Sequence, residues 1–123
     1  MLNKRVFLFL ALIYSVALAA ISLVKNDGLP YFGTNYEDKI YHLLAHGILC
    51  FLWYKALESQ KIKRPIVIAL IISIIYGIII EVLQGQLTTT RDASIGDILA
   101  NMAGAVVISL ILTIRRKTIV KNL

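Results

Sequence analysis

Residues 6–24 form an unbroken run of 19 residues with no charged side chain. Coiled as an α-helix at about 1.5 Å per residue, such a run is about 28 Å long, the thickness of a bilayer's hydrocarbon core. Three further apolar runs follow, at about 38–57, 65–84 and 95–114. The second is interrupted by His42, His46 and Lys55, and the third opens on Pro65, which the first turn of a helix tolerates. With 59% hydrophobic residues and a mean hydropathy of +0.79, a chain of 123 residues lacks the polar surface a soluble domain of that size needs. The expected architecture is all-α: one domain over residues 1–123, an integral membrane bundle of four transmembrane helices.

The first run invites comparison with a signal peptide, because Lys4 and Arg5 precede it and Ala17-Leu18-Ala19 resembles a cleavage site. The apolar stretch continues to Val24, longer than a signal core, so it is read as a span. The lone cysteine, Cys50, has no internal disulfide partner and no Cys/His zinc spacing around it, so it reads as a small buried hydrophobe. The formal charge of +6 does not point to nucleic acid, since the basic residues flank apolar runs and form no basic–aromatic stripe.

Orientation follows from the bases. Ten of the 13 Lys and Arg residues lie at the N terminus, between the second and third runs (with Lys55 snorkelling to that boundary), or after the fourth. By the positive-inside rule these regions are cytoplasmic, as are both termini, and the expected location is the inner (cytoplasmic) membrane. The opposite side holds six of the seven acids: Asp27, Glu37, Asp38, Glu81, Asp92 and Asp97.

That orientation brings two distant segments to one face. The second span begins near Thr34, with a capping-box pattern to Glu37, and then places Asp38, His42 and His46 at four-residue intervals on one helical face. His46 falls inside the membrane, where an ionisable group faces the bundle or a wet cavity. The third span ends with Glu81 and Gln84, one turn apart; Arg91 follows in the loop. The fourth opens with Ser94-x-x-Asp97 and continues to Asn101 and Gly104.

Each of these has a plainer explanation beside the functional one. Asp38 and Asp97 suit the first turn of a helix through its dipole. Glu81, near a helix C terminus, needs a partner such as Arg91 or His42, and a structural salt bridge would suffice. Asn101 can bind helices together, Gly104 can admit a close neighbour, and His46 can be a hydrogen-bonded interior group. Taken together, a set of acids and amides on one face is a costly way merely to join helices. His42 and His46 at i, i+4 have a spacing zinc can use, but the acids lie on other helices, so no metal is assigned and no cofactor is named.

At these residues the sequence resembles the VanZ-like family, a group of membrane proteins associated with teicoplanin resistance. The family pattern stands here as Asp38-Lys39-Ile40-Tyr41-His42, then Glu81-Val82-Leu83-Gln84, then Arg91, then Asp97-x-x-x-Asn101-x-x-Gly104. No single piece is specific; the ordered set is. Two positions depart: His46 stands where an aromatic residue is common, and Ile108 stands where a second glycine often makes a Gly-x-x-x-Gly contact. The resemblance implies a small membrane protein that lowers susceptibility to glycopeptide antibiotics, and it supplies no reaction.

Two functions compete. In the first, a membrane-embedded enzyme acts at the extracytoplasmic face on a lipid-linked cell-envelope substrate. Its candidate catalytic groups are His42, Glu81 and Asp97; Asp38, Gln84, Arg91 and Asn101 are candidate substrate-binding groups. No nucleophilic Ser or Cys signature accompanies them. In the second, a non-enzymatic module uses the same site to bind an envelope component, a glycopeptide target or a protein partner. Ion or solute transport ranks last, because four spans leave little room for a central pathway and no paired discontinuous helices are present. The oligomeric state is not legible.

Overall fold

The computed structural model describes residues 4–23, 35–87 and 95–121, with side chains over 5–23, 39–86 and 95–117. Four helices account for nearly all of them: α1 (Lys4–Leu23), α2 (Asn35–Ser59), α3 (Pro65–Leu87) and α4 (Ile95–Lys121). Each contains a stretch long and apolar enough to cross a membrane. The helices overrun the expected spans, most of all at α4, where Arg115, Arg116 and Lys117 continue the helix as exposed residues. An apolar run marks the hydrocarbon-sized segment, whereas a helix continues as long as its residues favour the conformation.

Between α2 and α3 the chain turns within five residues. Lys61 N donates to the Glu58 carbonyl at 3.0 Å and Ile62 N to the Leu57 carbonyl at 3.1 Å, the paired bonds of a Schellman cap. The cap needs a left-handed residue, and Lys61 supplies it at φ 59°, where glycine is the usual occupant. Arg64, also left-handed at φ 55°, precedes Pro65, which disfavours the right-handed helical conformation in its predecessor. Its carbonyl accepts the first bond of α3, from Ile68 N.

Among the described residues α2 and α3 each pack against all three other helices, while α1 and α4 lie on opposite sides and do not touch. The most extensive contact is between α2 and α4. These two helices are parallel, since Lys39 meets Asp97 near their N-terminal ends and Cys50 meets Ser109 further along. α1 runs antiparallel to α2: the Lys55 ammonium stands 5.3 Å from the centroid of the Phe7 ring, and the Trp53 indole donates to Ser15 Oγ at 3.0 Å.

The distribution of side chains is the reverse of a soluble protein's. Phe9, Val16, Ile71, Ile79, Leu99 and Ile111 are all more than half exposed. Glu81, Asn101, His46, Gln84, Ser73 and Ser109 are buried. In water this arrangement would forfeit hydrophobic burial and desolvate polar groups at once. In lipid it is the expected one, because apolar helices gain little by meeting each other and associate instead through close packing and interhelical hydrogen bonds. A small apolar cluster of Cys50, Tyr54, Ala69, Ala105 and Leu112 fills the half of the bundle nearer the basic residues.

Close packing is sharpest where α4 crosses α2. A Cβ added to Gly104 would overlap the Leu43 carbonyl oxygen and stand 3.0 Å from Gly47 N. One added to Gly47 would meet Ile108 Cγ1 at 3.2 Å and the Gly104 carbonyl oxygen at 3.4 Å. With Ile108 in place of a second glycine on α4, the close approach is made by one glycine from each helix, Gly104 and Gly47, and Ile108 packs over Gly47.

Candidate functional site

The crossing at Gly47 and Gly104 sets the register of the parallel pair, and the register builds the site. Above it, towards the N-terminal ends of both helices, Lys39 pairs with Asp97, and His42 Nδ1 lies 2.9 Å from Asn101 Oδ1. Below it, Cys50 Sγ lies 3.6 Å from Ser109 Oγ. Contacts repeat at about four-residue intervals on both helices, the ridge spacing that lets two helices interdigitate along their i±4 rows.

His42 is the centre of the cluster. With the Asn101 amide oxygen accepting, Nδ1 carries the proton and Nε2 faces Asp97 Oδ2 at 3.7 Å. Lys39 occupies the other carboxylate oxygen, Oδ1. The ring is thus held on one edge by an amide and directed on the other at a carboxylate whose charge is already shared with an ammonium. Nε2 is thus directed at Asp97 while the Asn101 amide oxygen accepts from Nδ1. The side chains of His42 and Asp97 are 11% and 12% exposed and that of Lys39 is 38% exposed, so the cluster opens to the surroundings at its Lys39 end.

One turn deeper, the His46 ring lies nearly parallel to that of His42, at 9° and a centroid separation of 6.4 Å. Tyr76 of α3 tilts against it at 5.9 Å. His46 is 2% exposed, and among the described residues its Nδ1 has no hydrogen-bond partner. The hydrogen-bonded interior group expected at this position is therefore interior, with one ring nitrogen left over. Asn101 Nδ2 is likewise buried, with no hydrogen-bond partner among the described residues. Gly77 lets α3 approach this layer: a Cβ there would stand 3.1 Å from Asn101 Cβ and 3.5 Å from His46 Cε1.

Glu81 is fully buried on α3, one turn from Gly77 towards the polar end of the bundle. Gln84 points elsewhere: its Nε2 donates to the Ser22 carbonyl of α1 at 2.8 Å. That carbonyl belongs to the last turn of α1, where no amide of the same helix remains to bond it, so Gln84 caps α1 as it joins the helices. α1 takes part more than its sparse polar residues suggest. Tyr76 donates to the Ser15 carbonyl, and Tyr14 donates to the Ala45 carbonyl at 2.7 Å.

The structure thus brings His42, Asp97 and Asn101 together and places Glu81 inside the same end of the bundle. The Asp38 side chain, Arg91 and the expected caps at Thr34 and Ser94 lie outside the described residues. Lys39, Gly47, Gly77 and Tyr76 belong to the site's construction and were not among the expected functional residues. Lys39 had a signal, standing three residues before His42 beside a carboxylate-bearing helix start. Among the described residues no group of three or more His, Cys, Asp and Glu is arranged to hold a metal ion.

Chemically, the arrangement offers an oriented imidazole, a carboxylate with its counter-ion and a buried carboxylic group, which suits proton transfer to or from a bound molecule. The nearest thiol, Cys50, pairs with Ser109 below the glycine crossing, away from His42. No family model matches the chain, nor does any curated protein or solved structure. The four helices and their apolar surface make it a multi-pass membrane protein.

Proposed function

We propose that this is a VanZ-like protein of the cytoplasmic membrane, with both termini inside, whose polar end faces out and acts on a lipid-linked component of the cell envelope. The single observation that carries the reading is the meeting of His42 and Asn101 across α2 and α4, with Asp97 on the ring's other edge. An imidazole positioned on both sides, at the water–lipid boundary, is the arrangement acid–base chemistry needs. Ile40, Tyr41 and Leu44 of α2 and Ile95 and Leu99 of α4 are exposed beside it, which suits a substrate whose polar head sits at the cluster and whose chain stays in lipid. Lower susceptibility to teicoplanin would follow from alteration of the envelope precursor.

The test is teicoplanin susceptibility of a sensitive host expressing the chain, His42→Gln or Glu81→Gln at equal membrane abundance. Protection lost in both variants supports acid–base action. Protection retained by both would replace it with the alternative, a module that binds and masks an envelope component.

A further inference from the structure

α2 carries a polar or ionisable side chain at every fourth position over most of its length: Asp38, His42, His46, Cys50, Tyr54 and Glu58. From the first to the last the helix rises about 30 Å, the thickness of the hydrocarbon core. Such a line turns about 40° around its helix with each step. On a peripheral helix it would swing out into lipid, but α2 is packed on all three other helices. His46 at 2%, Cys50 at 1% and Tyr54 at 5% exposure show that the line stays inside.

The neighbours add to it at each level. Asp97 and Asn101 flank His42, Tyr76 faces His46, and Ser109 pairs with Cys50. Tyr54 donates to Glu58, whose other oxygen lies 3.6 Å from Lys55 Nζ at the basic end. Interhelical glue accounts for the bonded pairs. It does not account for His46 Nδ1, buried in the bundle without a hydrogen-bond partner among the described residues. A group serving only to hold helices would have its polar atoms satisfied, because a bare one costs free energy in this medium.

We propose that this line is a proton relay joining the polar end of the bundle to its basic end. A proton arrives at His42 beside Asp97, passes to His46, then through the Cys50 and Ser109 level to Tyr54, and leaves from Glu58. At each step a lone pair on N, S or O accepts a proton as the same group releases another, so only X–H bonds form and break and nothing is oxidised or reduced. The net change is one proton moved, with its charge balanced by a counter-ion crossing separately. Steps of about 6 Å exceed the length of a hydrogen bond, so imidazole, thiol and hydroxyl groups must rotate between partners. The relay is therefore slow beside a water-filled channel, and it needs no pore. Intramembrane histidines and acids in series are the usual material of such paths.

The relay stands independently of the envelope-substrate function, and purified protein in lipid vesicles tests it. The full chain is reconstituted in phosphatidylcholine–phosphatidylglycerol vesicles enclosing a pH-sensitive dye, and valinomycin with a potassium gradient imposes a membrane potential. Because the flux is passive, random insertion does not matter. The expected result is a valinomycin-triggered change in internal pH above that of protein-free vesicles, retained by the lipid-facing Ile79→Leu and lost in His46→Leu and Tyr54→Phe. Tyr54→Phe keeps the ring and removes only the hydroxyl, so it guards against a folding defect in the histidine variant. A wild-type flux no greater than that of empty vesicles, or a flux that persists in either variant, would overturn the relay.

Discussion

His42 and Asn101, 59 residues apart, meet across two parallel helices at 2.9 Å, and Asp97 stands on the far edge of the same imidazole. Neither helix alone holds a functional arrangement. The contact exists because Gly104 allows α4 to lie against the backbone of α2 at Leu43 and Gly47. The site is thus a consequence of helix packing, and the packing can be broken without touching a polar residue.

Gly104→Val should therefore separate α2 from α4. Backbone cannot yield as a side-chain end can, and overpacking of this kind costs typically about 1–3 kcal/mol or more. The expected outcome is a clear fall in thermal midpoint in detergent, measured by circular dichroism, with Gly77→Ala milder because its closest contacts are side-chain atoms.

Asn101→Ala removes the amide oxygen that His42 Nδ1 meets at 2.9 Å in a nearly buried setting. Loss of a buried interhelical hydrogen bond costs about 1 kcal/mol. Lys39→Ala removes a partner of Asp97 from a half-exposed position, where ion pairs contribute about 0–1 kcal/mol. Chemical or thermal unfolding in detergent should rank Asn101→Ala as the more destabilising. The reverse order would mean that the ion pair, and not the amide, holds the helix starts together.

Gln84→Leu removes the side-chain donor that the Ser22 carbonyl meets at the end of α1. Interhelical hydrogen bonds of this kind in membranes contribute about 0.6 kcal/mol on average. A small loss of stability is expected, with protease cleavage after α1 increasing while the α2–α4 pair persists.

Lys61 closes a Schellman cap in the left-handed conformation. A non-glycine residue there costs about 1–2 kcal/mol, so Lys61→Gly should raise the unfolding midpoint, a gain measurable against Lys63→Gly as a surface control. The position lies at the basic end of the bundle, and teicoplanin protection should be unchanged.

The architecture was legible because apolar length is a local property: residues 6–24 and 65–84 declare their spans with no knowledge of neighbours. Asp97 and Asn101 were legible as a pair by helical spacing, as were His42 and His46. Their association was not, because the offset between α2 and α4 is set by backbone contact at two glycines, and a glycine gives no sign of which helix it touches. The destination of Gln84 was hidden for a related reason. Its partner is a main-chain carbonyl, present at every residue and marked in sequence at none. The polar line on α2 was legible in part: the spacing of Asp38, His42 and His46 was plain, while Cys50, read as a small buried hydrophobe, is that and also meets Ser109.

Asp97→Asn tests the central claim most directly, since it keeps the side chain's shape and removes the charge that both Lys39 and His42 address. Teicoplanin susceptibility would be measured in a sensitive host carrying the wild type, Asp97→Asn or no protein, with equal amounts in the membrane. Protection by the wild type that disappears in Asp97→Asn is the predicted result. Equal protection by the two proteins, or none by either, would contradict a functional site at the meeting of α2 and α4.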